Sequence, residues 1–94
     1  PLKNFEILQE NEDESLMKSY NTSGYGIFSS SRGYVIPESY TDISNIGTAE
    51  TPIYIAEYYF SEADYYLVVY YDGSGKILRR QGLAPYEYDK IYCD

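Results

Sequence analysis

Histidine and tryptophan are absent from this 94-residue chain, and cysteine occurs once. Without histidine, the usual general base at neutral pH is missing, and so are the Ser-His and Cys-His nucleophile systems and the commonest zinc ligand. Cys93 has no second cysteine with which to form a disulfide and no histidine with which to share a metal, so it reads as an inert thiol. Basic residues are scarce: seven Lys and Arg stand against 15 Asp and Glu, a net charge of −8. Phosphate backbones and anionic membranes demand a basic patch, so nucleic acid and acidic lipid are poor partners and a basic protein is a fitting one. No apolar run approaches the roughly 18 residues that a membrane-spanning helix needs. There is no phosphate-cradling glycine loop and no dinucleotide fingerprint, so no cofactor is expected and an enzyme is not.

What the chain has in abundance is tyrosine, 14 residues against three Phe, within a composition that is 44% hydrophobic. That content is enough for one compact domain, residues 1–94, and too apolar for disorder. Tyrosine suits strands and half-buried surfaces, where its ring packs and its hydroxyl stays wet. The strongest strand patterns are "PIYIAEYYF" (52–60) and "YYLVVYY" (65–71). The second is apolar on both faces, which requires either cover on both sides or a tyrosine stripe turned to solvent. Shorter patterns are "FEIL" (5–8), "SLMKSY" (15–20), "YGIFS" (25–29), "YVI" (34–36), "KILRRQ" (76–81) and "KIYC" (90–93), with Pro37 ending its strand and residues 38–51 and 82–89 irregular. The fold predicted is all-β: an antiparallel meander of about five to seven short strands, built from repeated hairpins, with little helix beyond a possible turn near 14–18 or 61–65.

The turns repeat. Tyr20-Asn21-Thr22-Ser23-Gly24 matches Tyr71-Asp72-Gly73-Ser74-Gly75, with Phe28 to Gly33 as a looser copy. Tyr40-Thr41-Asp42-Ile43 is echoed by Tyr88-Asp89-Lys90-Ile91. Repeat-like units therefore run over 15–43 and 65–92, joined by 44–64. The stretch Tyr25-Gly26-Ile27-Phe28, Gly33-Tyr34-Val35-Ile36-Pro37 and Tyr40-Thr41-Asp42-Ile43 resembles one WG repeat, with Tyr25 in place of the family's Trp. Residues 67–91 resemble a degenerate second copy without the aromatic-Gly pair. The resemblance implies short antiparallel hairpins in a bacterial binding protein, and it implies no catalytic residues. With one cysteine and no apolar leader behind Pro1-Leu2-Lys3-Asn4, a bacterial cytoplasm is the expected compartment, with secretion after removal of a longer leader as the alternative.

The acidic run Glu10, Glu12, Asp13 and Glu14 lacks the alternating spacing that wraps carboxylates around calcium, and Asp72-Gly73-Ser74-Gly75 offers one carboxylate, so both read as turns and no metal is expected. Nothing in the spacing of Glu57 and Asp64 marks a glycosidase pair. Asn21-Thr22-Ser23 fits a glycosylation acceptor but serves equally as a turn. The surface candidates are the tyrosines on the two best strands, Tyr54, Tyr58, Tyr66 and Tyr70, with the acidic loop at Glu10, Glu12, Asp13 and Glu14. Two functions fit them. One is a protein-interaction module, in its sharpest form an acidic immunity or inhibitor protein that neutralises a basic toxin. The other is a carbohydrate-binding module with a tyrosine platform.

Overall fold

A computed structural model describes residues 4–92, which leaves Cys93 outside the described residues. Among the described residues eight strands precede one helix: β1 Asn4–Glu10, β2 Ser15–Asn21, β3 Gly24–Ser29, β4 Gly33–Tyr40, β5 Asp42–Asn45, β6 Ile53–Phe60, β7 Tyr65–Asp72, β8 Ile77–Leu83 and α1 Pro85–Tyr92. They form two antiparallel four-stranded sheets in simple meander order, β1-β2-β3-β4 and β5-β6-β7-β8. The all-β hairpin architecture is therefore present, with one strand more than the sequence suggested and a C-terminal helix it did not.

Side-chain acceptors set the turns. Asn11 Oδ1 accepts the N–H groups of Asp13 and Glu14, each at 2.9 Å, between β1 and β2. Asn21 Oδ1 accepts those of Ser23 and Gly24 at 2.7 and 3.2 Å, and Asp72 Oδ1 accepts those of Ser74 and Lys76 at 2.9 and 3.0 Å. The sequence match between the Asn21 and Asp72 turns is thus a match of bonding: a short polar side chain organises the backbone two residues on. Ser29 Oγ does the same for Ser31 and Arg32 ahead of β4.

The chain changes sheets at one residue. Thr41 lies between β4 and β5, donates its N–H to the Glu57 carbonyl at 2.7 Å, and accepts the Tyr59 N–H on its Oγ1 at 3.2 Å. Residues 44–64, expected to join two repeat-like units, hold β6, one of the two inner strands of the second sheet. Pro37 does not end its strand. β4 is an edge strand, where a missing N–H is tolerated, and it continues to Tyr40 past irregular pairing with β3. Gly26 admits that irregularity: a Cβ there would lie 2.6 Å from the Ile36 carbonyl oxygen and 2.9 Å from Glu38 Cα. Its close neighbour is the backbone of the adjacent strand. A ring-over-glycine contact occurs at Gly82, which lies beneath Tyr65.

The two sheets face each other. Leu16, Ile27 and Ile36 from the first meet Ile43, Tyr54, Ala56, Val69 and Tyr71 from the second in the main core. The opposite face of the second sheet carries a smaller core of Ile55, Val68 and Leu83, joined by Tyr66, Tyr70 and Tyr88. Helix α1 lies on that face, with Tyr88 stacked on Tyr66 at a centroid distance of 3.9 Å and donating its hydroxyl to Glu57. β7 is thus covered on both sides, which accounts for its unbroken apolar pattern. The helix replaces the expected loop and final strand. Its start is signalled by Pro85 at the first helical position and by Glu87, whose Oε1 accepts the Ala84 N–H at 3.0 Å. Tyr88-Asp89-Lys90-Ile91 is helical, so it is no structural counterpart of Tyr40-Thr41-Asp42-Ile43.

Candidate functional site

The first sheet has an outer face against which no described element packs. Alternation along the strands places Phe5 and Ile7 of β1, Met17 of β2 and Phe28 of β3 there, and the register slip at Val35 brings Tyr34 of β4 beside them although Ile36 faces the core. Register aligns four of them in one row, because Ile7 pairs with Met17, Met17 with Phe28, and Phe28 with Tyr34. Phe28 meets Tyr34 edge-on at 5.0 Å and Phe5 at 6.5 Å. Phe5 is 50% exposed, Ile7 61% and Tyr34 45%. Large apolar side chains contiguous on one uncovered sheet face mark a contact surface more often than a bare exterior. Glu38 lies at the border of the row, where its Oε1 accepts the Tyr34 hydroxyl and the Asn21 side-chain amide, both at 2.8 Å.

A second feature lies at the end of the sandwich where the sheets part. Tyr20, Tyr25 and Tyr40 of the first sheet face Tyr58 of the second across an open cleft of about 360 Å³, and Thr22, Ser23, Thr41 and Tyr59, whose own ring packs on Tyr66 on the far side of the sheet, complete its lining. Tyr20 and Tyr25 pair across the β2–β3 hairpin with ring centroids 4.7 Å apart. Lys18 stands 4.6 Å above the Tyr25 ring while bonding Asp42 Oδ1 at 3.0 Å and the Ile43 carbonyl at 2.8 Å. That lysine ties β2 to β5 across the sheets.

At the opposite end three turns converge on Glu14. Its Oε2 accepts the hydroxyl of Ser29, the hydroxyl of Ser31 at 3.1 Å and Arg32 Nε at 2.7 Å. The Ser29 hydroxyl above all, and then the Arg32 guanidinium, hold the Glu14 carboxyl down to about 2. Arg32 in turn donates through Nη1 to the Gly73 carbonyl at 3.1 Å, reaching the β7–β8 turn.

The residues expected at the surface are therefore scattered. Tyr54 is in the main core at 2% exposure, and burial raises its phenol above the ordinary value, so it is withdrawn as a binding ring. Tyr66 lies under Tyr88, and Tyr70 is half-buried in the smaller core, so the expected platform of four rings does not exist. Tyr58 lines the cleft. Of the acidic loop, Glu14 is engaged internally, Glu10 accepts the Ser15 hydroxyl at 3.4 Å, and Glu12 and Asp13 are exposed at the tip of the turn. Tyr20 and Tyr25 were legible as a facing pair from the four-residue turn between them. The row from Ile7 to Tyr34 could be found only by placing three hairpins in register.

Glu57 and Asp64 each accept a tyrosine hydroxyl, from Tyr88 and Tyr59 respectively, the latter at 2.7 Å. The carboxylate raises the Tyr59 phenol above its usual value. Among the described residues, no three Asp, Glu, His or Cys side chains gather as a metal site would require, and no helix is long and apolar enough to cross a membrane. Comparison with family models, with curated proteins and with solved structures finds no match for the chain. The likeness of residues 25–43 to a WG repeat thus rests on the residues themselves.

Proposed function

We propose that the chain is a non-enzymatic protein-interaction module that binds a basic protein through the outer face of its first sheet. The observation that carries this reading is the uncovered row of Ile7, Met17, Phe28 and Tyr34, with Phe5 beside it, on a molecule of net charge −8. The rings supply the apolar contact, and the overall charge steers a cationic partner to the encounter. An inhibitor that neutralises a basic toxin is the sharpest form of this function. The test is affinity capture from the native host with the wild-type chain and with a Phe5→Ser/Tyr34→Ser variant. A basic protein retained by the first, lost from the second and weakened by salt supports the reading. Retention of no basic protein, or of one indifferent to both changes, removes it.

The cleft favours a second reading, carbohydrate binding. Four tyrosines, Tyr20, Tyr25, Tyr40 and Tyr58, with threonine and serine beside them, offer stacking surface and hydrogen bonds together. Glycan binding that disappears in Tyr20→Ala and Tyr58→Ala, and survives Tyr34→Ser, would favour this reading over the first.

A further inference from the structure

We propose that copies of this chain join head to tail, the free edge of β1 in one copy pairing with the free edge of β8 in the next. This goes beyond the binding of a basic partner and uses strand edges in place of a sheet face, with Phe5 and Ile7 bordering both. Two four-stranded sheets leave four edges: β1 and β4 in the first, β5 and β8 in the second. An open edge invites another strand unless it is short, carries proline or is otherwise blunted. Two of the four are blunted. β4 carries Pro37 in mid-strand, and β5 has four residues.

The other two edges are seven residues long and largely exposed, and each carries apolar side chains among charged ones. On β1, Phe5, Ile7 and Leu8 are exposed at 50, 61 and 37%, and on β8 Ile77 and Leu78 are exposed at 38 and 51%. Their charges are opposite. β1 carries Glu6 and Glu10, whereas β8 carries Arg79 and Arg80 with Lys76 just ahead of it. Three of the seven basic residues of an acidic chain are thus gathered at one edge. Both strands also slip register by one residue against their own neighbours, at Leu8 in β1 and at Leu78 in β8. An antiparallel register that sets Glu6 opposite Arg80 sets Leu8 opposite Leu78, so the charges and the two irregularities coincide. Neither edge can pair with its own copy as well, because like charges would then face each other across the ladder. Contact between two different patches of one chain is heterologous, and it extends until the geometry closes.

Charge exchange followed by sedimentation velocity tests this arrangement. The wild-type chain is expected to show a weight-average mass that climbs with concentration from 10.9 kDa toward twice that value and beyond, and that falls back when salt is added. An Arg79→Glu/Arg80→Glu variant has two acidic edges, and a Glu6→Arg/Glu10→Arg variant has two basic ones. Each alone should sediment as a monomer with an unchanged far-UV circular dichroism spectrum, since all four side chains are exposed. An equimolar mixture of the two should regain the association. Three results would overturn the proposal: a wild-type chain that stays monomeric throughout, a variant that still associates alone, or a mixture that stays monomeric. Arg79 and Arg80 lie away from the outer face of the first sheet. Failure of the Arg79→Glu/Arg80→Glu arm would therefore leave capture of a basic protein through Tyr34 untouched.

Discussion

Ile7 and Ile27 belong to the same sheet, and their replacement by alanine should have very different consequences. Ile27 is fully buried in the core between the sheets, whereas Ile7 is 61% exposed on the outer face. Ile27→Ala removes three buried carbons, about 2.4 kcal/mol at about 0.8 kcal/mol per carbon, before any cavity term. The neighbours around it, Leu16 and Ile43 among them, are held in paired strands and cannot collapse far, so a total of about 3–4 kcal/mol is expected within the usual range for such truncations. Ile7→Ala on an open face should stay within about 0.5 kcal/mol of wild type. Urea unfolding followed by far-UV circular dichroism measures both, with unchanged slope showing that the same surface is exposed on unfolding. A domain of this size has roughly 5–15 kcal/mol of stability in all, so the Ile27 variant should lose a large share of it and still fold. Equal losses for the two variants, or a larger loss for Ile7, would refute the packing of one sheet upon the other.

Further consequences follow from the contacts between turns and sheets. The Tyr40 and Tyr71 hydroxyls bond each other across the sheets at 2.6 Å, so a double-mutant cycle of Tyr40→Phe and Tyr71→Phe should yield a coupling of about 1 kcal/mol. Burial and then that bond raise the Tyr71 phenol above its ordinary value. Its contribution is therefore present below pH 10 and lost as the pH climbs through the raised value, and Tyr71→Phe should flatten the alkaline limb of a stability–pH profile. Glu14 has the opposite sign. Its carboxyl is held down from 4.5 to about 2, so the stability it supplies is complete above the unfolded value and disappears between about pH 4.5 and 2. Glu14→Gln should remove that part of the acid transition, which a thermal melting series over this pH range would detect. Gly26→Ala drives a Cβ against the β4 backbone and should destabilise by about 1–3 kcal/mol in the urea assay.

How far this structure was legible in advance depended on how local each determinant was. The hairpin turns were readable because Asn21 and Asp72 act on backbone two residues away, and "YYLVVYY" was readable because β-branched and aromatic residues dominate it. Pro37 misled because a proline can sit within a strand when that strand is an edge, a property of the sheet and not of the segment. The helix was hidden because one sheet-facing ring, Tyr88, carries its packing, although Pro85 and Glu87 marked its start. The surface was the least legible part. Tyr54 and Tyr58 share one face of β6, yet one is in the core and the other lines the cleft, because the first sheet covers only part of that strand. Glu12, Asp13 and Glu14 are equivalent in sequence. They differ because Ser29 and Arg32, 15 and 18 residues on, reach Glu14 alone.

The central claim is that the outer face of the first sheet is the binding surface. The most direct test is titration calorimetry of the captured basic protein against the wild-type chain and the variants Tyr34→Ser and Tyr58→Ala. The account predicts tight, salt-sensitive binding by wild type and by Tyr58→Ala, and at least a tenfold loss for Tyr34→Ser, about 1.4 kcal/mol. Binding that is unaffected by Tyr34→Ser and abolished by Tyr58→Ala would contradict it and place the partner in the cleft.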